Sequence, residues 1–149
     1  MAYHWDYLVA ELRCPSCGAV APATSETQMT TALRDDASVR YLTIGDALPV
    51  DVEHARAADY LIVREPRPGE PVNLLHTWVC PTCGTAFLWA RVAVRDGVIS
   101  AIESVEFDRA IGSAHYVVDD AIWLVADRLG AHSPSDLSDD EVLAALRSW

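Results

Sequence analysis

Cys80-Pro81-Thr82-Cys83-Gly84, running on through Thr85–Arg95, Asp96-Gly97 and Val98–Phe107, decides the fold, and its first five residues have a near copy at Cys14-Pro15-Ser16-Cys17-Gly18. These two units hold all four cysteines of the 149-residue chain. Two cysteines separated by two residues can grip one ion from a single tight turn, and two such turns complete a tetrahedral all-thiolate shell. The glycine after each second cysteine accepts the left-handed backbone that closes the turn with amide N–H groups aimed at sulfur, and the proline between the ligands stiffens it. Cys14, Cys17, Cys80 and Cys83 are therefore the expected ligands of a structural zinc ion. Iron is the minor alternative, since an all-sulfur site accepts either metal. Four thiolates leave no position for a catalytic water. Two disulfides are the competing reading. Met1–Tyr7 shows no export signal, so a reducing cytoplasm that keeps thiols free is the expected location.

Working outward, Thr85–Arg95 and Val98–Phe107 are two β-rich runs joined by Asp96-Gly97, the pair that a two-residue type I′ turn prefers. An unbroken register would set Val94 opposite Ile99, Val92 opposite Ala101 and Leu88 opposite Val105 on an apolar face, leaving Arg95, Arg91 and Trp89 on a solvent face. Upstream, Tyr3–Arg13, Val39–Ile44, Tyr60–Val63 and Leu74–Val79 read as strands, Asp51–Asp59 as a short helix, and Glu65–Pro71 as a proline-rich loop. Downstream the period changes. Val118, Ile122, Val125 and Leu129 form a helical stripe, with Ser113 as candidate N-cap and Gly130 to end it. Ser138-Asp139-Asp140-Glu141 has the capping-box form and opens a final amphipathic helix through Leu143, Leu146 and Trp149. The predicted fold is α+β: a mainly antiparallel β core carrying the metal, with two C-terminal helices. Residues 1–149 are expected to form a single domain, with a β-rich part at 1–112, a long insertion at 19–79, and a helical part at 113–149.

Charge and composition exclude several functions. Twenty-two acidic residues against eleven basic ones give a net charge of −11, and ten of the acids lie in residues 103–149 against three arginines. Such a body repels phosphate backbones and anionic membranes. The reading of the acidic C-terminal part is a solvated face, with an acidic docking surface for a basic partner as the sharper alternative. Every basic residue is arginine, so chemistries that need a lysine, such as P-loop phosphate binding, Schiff bases or the kinase lysine, are absent. No stretch approaches the roughly 18 apolar residues of a membrane span.

Catalytic constellations are missing too. The five histidines form no HxxxH or HExxH pair, and there is no GxSxG elbow or GxGxxG turn. His76, four residues before Cys80, is placed to hydrogen-bond a ligand sulfur or alter a protein contact. The adjacent acids Asp35-Asp36, Asp119-Asp120 and Asp139-Asp140 point apart on either regular backbone and read as solvated or capping residues. Trp78 and Trp89 flank the second knuckle and, with Arg91, form a candidate aromatic and cationic binding patch. The alternative for the two indoles is a lid that shields the metal from water.

With CPSCG and CPTCG knuckles placed between strands, the chain resembles zinc-ribbon proteins and, more loosely, the rubredoxin-like knuckle group, although 62 residues separate Cys17 from Cys80. Thr27-Gln28-Met29-Thr30 and Tyr41-Leu42-Thr43-Ile44-Gly45-Asp46 also look like a pattern of small bacterial and phage proteins of unassigned function. The ribbon resemblance implies zinc and a hairpin scaffold, and no single activity. The function expected is that of a non-enzymatic, zinc-stabilised bacterial binding protein whose partner is another protein, a basic one by charge: an adaptor, or an immunity- or antitoxin-like protein. The alternative is a nucleic-acid-associated regulator. An enzyme would require a pocket built by the insertion between the knuckles.

Overall fold

The computed structural model describes residues 5–34 and 38–149. In chain order the elements are β1 (Asp6–Leu8), β2 (Leu12–Arg13), β3 (Val20–Ala21), β4 (Thr30–Thr31), β5 (Tyr41–Leu42), α1 (Val52–Ala57), β6 (Leu61–Ile62), β7 (Val72–Trp78), β8 (Leu88–Arg95), β9 (Val98–Val105), α2 (Phe107–Ala110), β10 (Tyr116–Val117), α3 (Ala121–Leu129) and α4 (Asp139–Ser148). The strands form three sheets, ordered β6-β10-β7-β8-β9, β4-β1-β5 and β2-β3. Pairing is antiparallel except for β1 with β5 and β10 with β7. The fold is thus α+β, mostly antiparallel, with two C-terminal helices. Among the described residues no helix is long and apolar enough to cross a membrane.

The five-stranded sheet separates two cores. Alternation along β7 sends Leu74, His76 and Trp78 to one face and Leu75 and Thr77 to the other, because successive strand side chains point oppositely. The first face joins Leu74, Trp78, Ala90, Val92, Val94, Ile99 and Ile102 to residues of the first 60, including Leu8, Leu12, Met29, Leu33 and Leu48. The second packs Leu75, with Trp89 and Val105, against Phe107, Ile111, Val117, Ala121, Val125, Val142 and Leu146.

Asp96 (φ 53°) and Gly97 (φ 75°) both adopt left-handed backbone, as a type I′ turn demands. The expected register holds at Val94 and Ile99 and then slips. Ala93 faces Ala101, Val92 faces Ile102 and Trp89 faces Val105, so Ser100 is the extra residue of a bulge. Its hydroxyl donates to the Ala93 carbonyl at 3.1 Å. The slip brings Ile102, rather than Ala101, onto the buried face with Val92. The face expected to be wet is also covered in part, since Trp89 tilts onto Phe107 with ring centroids 4.6 Å apart. Residues 45–48 lie along the outer edge of β9, through Gly45 N–H to Ile99 O, Ile99 N–H to Asp46 O and Leu48 N–H to Gly97 O, which shields an edge otherwise open to another chain.

The C-terminal helices follow their capping chemistry. Ser138 and Glu141 form the expected reciprocal capping box at α4. Gly130 ends α3 with φ 70°. The expected N-cap at Ser113 is corrected: α3 begins at Ala121, and Tyr116–Val117 is a strand inserted between β6 and β7. Val118 therefore does not share a helix with Ile122. The expected strand at Tyr3–Arg13 is broken at Val9–Glu11, between β1 and β2, and Tyr3, His4, Asp35 and Asp36 lie outside the described residues. Trp149 packs edge-on against Phe107, its indole N–H donates to Asp108 at 2.6 Å, and the Arg128 guanidinium sits 4.0 Å from its ring centre.

Candidate metal centre

The two knuckles are built alike. In the first, Gly18 N–H donates to Cys14 O at 2.9 Å and Cys14 N–H to Ala19 O at 2.8 Å; in the second, Gly84 N–H donates to Cys80 O at 2.8 Å and Cys80 N–H to Thr85 O at 3.0 Å. Gly18 (φ 77°) and Gly84 (φ 75°) take the left-handed backbone that the turn requires. β2 and β3 flank the first knuckle, β7 leads into the second and β8 leaves it, so the four sulfurs meet although 62 residues part the motifs.

All four sulfurs lie within 4.8 Å of one another, and they could hold a metal ion. The contacts across the knuckles are 3.7 Å between Cys14 and Cys83 and 3.8 Å between Cys17 and Cys80. A tetrahedral ion with metal–sulfur bonds of about 2.3 Å has edges of about 3.8 Å. Cys14 and Cys80 are fully buried in the first core, whereas Cys17 and Cys83 face outward.

Electrostatics splits the metal-free thiols. The Thr85 hydroxyl, 3.1 Å from the Cys83 sulfur, and the Thr85 backbone lower the Cys83 pKa to about 6. At Cys17 the Ala19 backbone pulls the pKa down, but loss of water and the three neighbouring thiols outweigh it and raise it to about 11. Four thiols this close cannot all ionise unless a cation neutralises them, which is the electrostatic demand of a metal site.

The other candidates disperse. Trp78 is 1 % exposed, and its indole N–H is satisfied by the Trp89 carbonyl at 3.2 Å. It shares a core with Cys14 and Cys80, while Trp89 stands on the opposite face of the sheet, so the structure does not bring the two indoles into one patch. Arg91 is paired across the hairpin with Glu103. His76 reaches no sulfur. It is buried, and its Nε2 lies 2.7 Å from the Tyr60 hydroxyl, which in turn lies 2.9 Å from Thr31 Oγ1. Burial pulls the His76 pKa down to about 3 against an opposing hydrogen bond with the Thr30 backbone. The ring is therefore neutral near pH 7, with Nε2 accepting from Tyr60 and the Tyr60 oxygen accepting from Thr31. Nothing in the sequence pointed to this buried chain, because its members lie 29 and 16 residues apart.

The chain matches no protein-family model, no curated protein and no solved structure.

Proposed function

We propose that the chain is a non-enzymatic, zinc-stabilised binding protein whose partner is another protein. The sulfur cluster carries the zinc-stabilised part of this reading: its cross-knuckle distances of 3.7 and 3.8 Å suit zinc, and two of its four sulfurs belong to residues of the hydrophobic core. The ion acts as a structural tie, joining the N-terminal strands to the β7–β8 connection, and binding it contributes directly to folding. Iron would satisfy the same geometry and is distinguished by colour and by metal analysis.

Support for a protein partner comes from α3. Trp123 is 62 % exposed, with the exposed Asp127 four residues after it, so one helix face presents an aromatic side chain beside a carboxylate. That combination supplies an anchor together with charge that steers a basic partner, in keeping with an adaptor or an immunity- or antitoxin-like role. Arg91 of the hairpin and Arg109 of α2 offer less to phosphates, since they pair with Glu103 and Glu106. The proposal takes residues 1–149 as one domain working in the cytoplasm, where free thiols persist.

The test is affinity purification of the tagged protein from its own host, with metal analysis of the product. One zinc per chain and a stoichiometric basic protein, lost on Trp123→Ala, are expected. Recovery without any protein partner would overturn the binding-module reading, and retention of DNA or RNA that falls steeply with salt would replace it with the nucleic-acid one.

A further inference from the structure

The neutral Thr31–Tyr60–His76 chain forms the floor of a cavity of about 280 Å³, entered between the N-terminal segment, the end of α1 and the start of α3. All three residues are more than nine-tenths buried, so the floor is a built polar surface. Trp5, 46 % exposed, supplies an aromatic wall. Asp59, Asp119 and Asp120 supply carboxylates, and the described lining residues include no arginine. Thr77 holds Asp120 through a hydroxyl donated to Oδ2 at 2.9 Å. Asp59 is fixed at φ 62°, a left-handed backbone uncommon outside glycine.

The charge of this lining is one-sided. Among the described residues its ionised groups are all anionic, which disfavours phosphates and carboxylates as ligands. Loss of water and then the neighbouring Asp120 and Asp59 raise the pKa of Asp119, so a cation in the cavity would relieve a repulsion already present. The lining does not offer an inorganic ion three carboxylate ligands at once. Among the described residues only the four cysteines bring three or more ligand atoms close enough to share one metal, so these three carboxylates are too far apart to do so. A volume just under the ~300 Å³ at which drug-sized pockets begin points to a small guest. We infer that the cavity is a binding site for a small organic cation bearing an ammonium or guanidinium group, with the charged end among Asp59, Asp119 and Asp120 and the remainder against Trp5.

The test is calorimetric titration of the zinc-loaded protein with putrescine and agmatine, using 1,4-butanediol as the uncharged mimic and Mg²⁺ as the inorganic cation. Saturable one-to-one binding of at least one amine is expected, with none for the diol. Asp59→Asn and Asp119→Asn should each weaken that binding at least tenfold without loss of the folded state. Glu11→Gln with Asp136→Asn, which removes two charges elsewhere, should leave it unchanged. Three results would overturn the assignment: no amine binding at millimolar concentration, equal weakening by the distant pair (general attraction to an acidic protein), or one-to-one competition by Mg²⁺ at the amine's own affinity.

Discussion

The Thr85 hydroxyl lies 3.1 Å from the Cys83 sulfur, and the matching position of the first knuckle is Ala19, which has no hydroxyl to offer. Two turns with the same backbone hydrogen bonds thus differ in how well they stabilise a thiolate. Cys83 is the more acidic of the two outward cysteines, and Thr85 is the reason.

Thr85→Val should therefore raise the Cys83 pKa from about 6 and, because protons then compete better for the sulfur, shift acid-induced metal release to higher pH. Loss of a hydrogen bond to a ligand typically weakens metal binding about 10- to 100-fold. Chelator competition at fixed pH measures it, and an unchanged affinity would show that the hydroxyl does not serve the bound state.

Cys80→Ser and Cys17→Ser remove equivalent ligands from unequal settings. Both should lose metal, but the serine at the buried position also places an unpartnered hydroxyl in the first core, a further cost of about 1–3 kcal/mol. Thermal unfolding should rank the wild type above Cys17→Ser and Cys17→Ser above Cys80→Ser. Identical melting of all three would sever the link between metal and core.

His76 makes stability depend on pH in one direction. Its native pKa of about 3 is depressed below the ordinary 6.5, so above pH 6.5 neither state holds the proton and the full contribution is present. Between 6.5 and 3 the unfolded chain binds one proton more, and stability falls by about 1.4 kcal/mol per pH unit. Denaturant titrations of His76→Gln against the wild type, both saturated with zinc, should show a shallower acid slope in the variant. Parallel slopes would refute the assignment.

Trp78→Ala should cost about 3–5 kcal/mol, the range for a fully buried aromatic side chain, and it also frees the Trp89 carbonyl that the indole N–H now satisfies. Trp123→Ala, on the exposed side of α3, should move stability by no more than about 0.5 kcal/mol. Chemical denaturation of both variants separates the structural tryptophan from the one available to a partner.

What the sequence made legible was local chemistry. CxxCG spacing, Asp96-Gly97 and the Ser138–Glu141 box each specify their geometry within five residues, and each appears where its chemistry places it. The bulge at Ser100 was not legible, since a small polar residue in a β-rich run carries no mark of an extra position, and one slip was enough to exchange Ala101 for Ile102 on the buried face. β10 was hidden because Val118 continues the apolar spacing of α3 backwards, so a two-residue strand was absorbed into a helical stripe. The cavity was invisible for a third reason: its floor and carboxylates come from segments that only the tertiary fold assembles.

That two-residue strand also sets the order in which the molecule can be completed. Among the described residues, Leu61–Ile62 joins the large sheet only through Tyr116–Val117, which reaches β7 on its other side. On the ribosome, β7, β8 and β9 can form a meander with the second knuckle as soon as they emerge, but β6 must wait unpaired for some fifty further residues before its neighbour exists. A nascent chain halted before Tyr116 would hold its metal ligands and its hairpin, yet lack the strand that docks Tyr60 beside His76. The closing of the sheet is thereby tied to the synthesis of the C-terminal third.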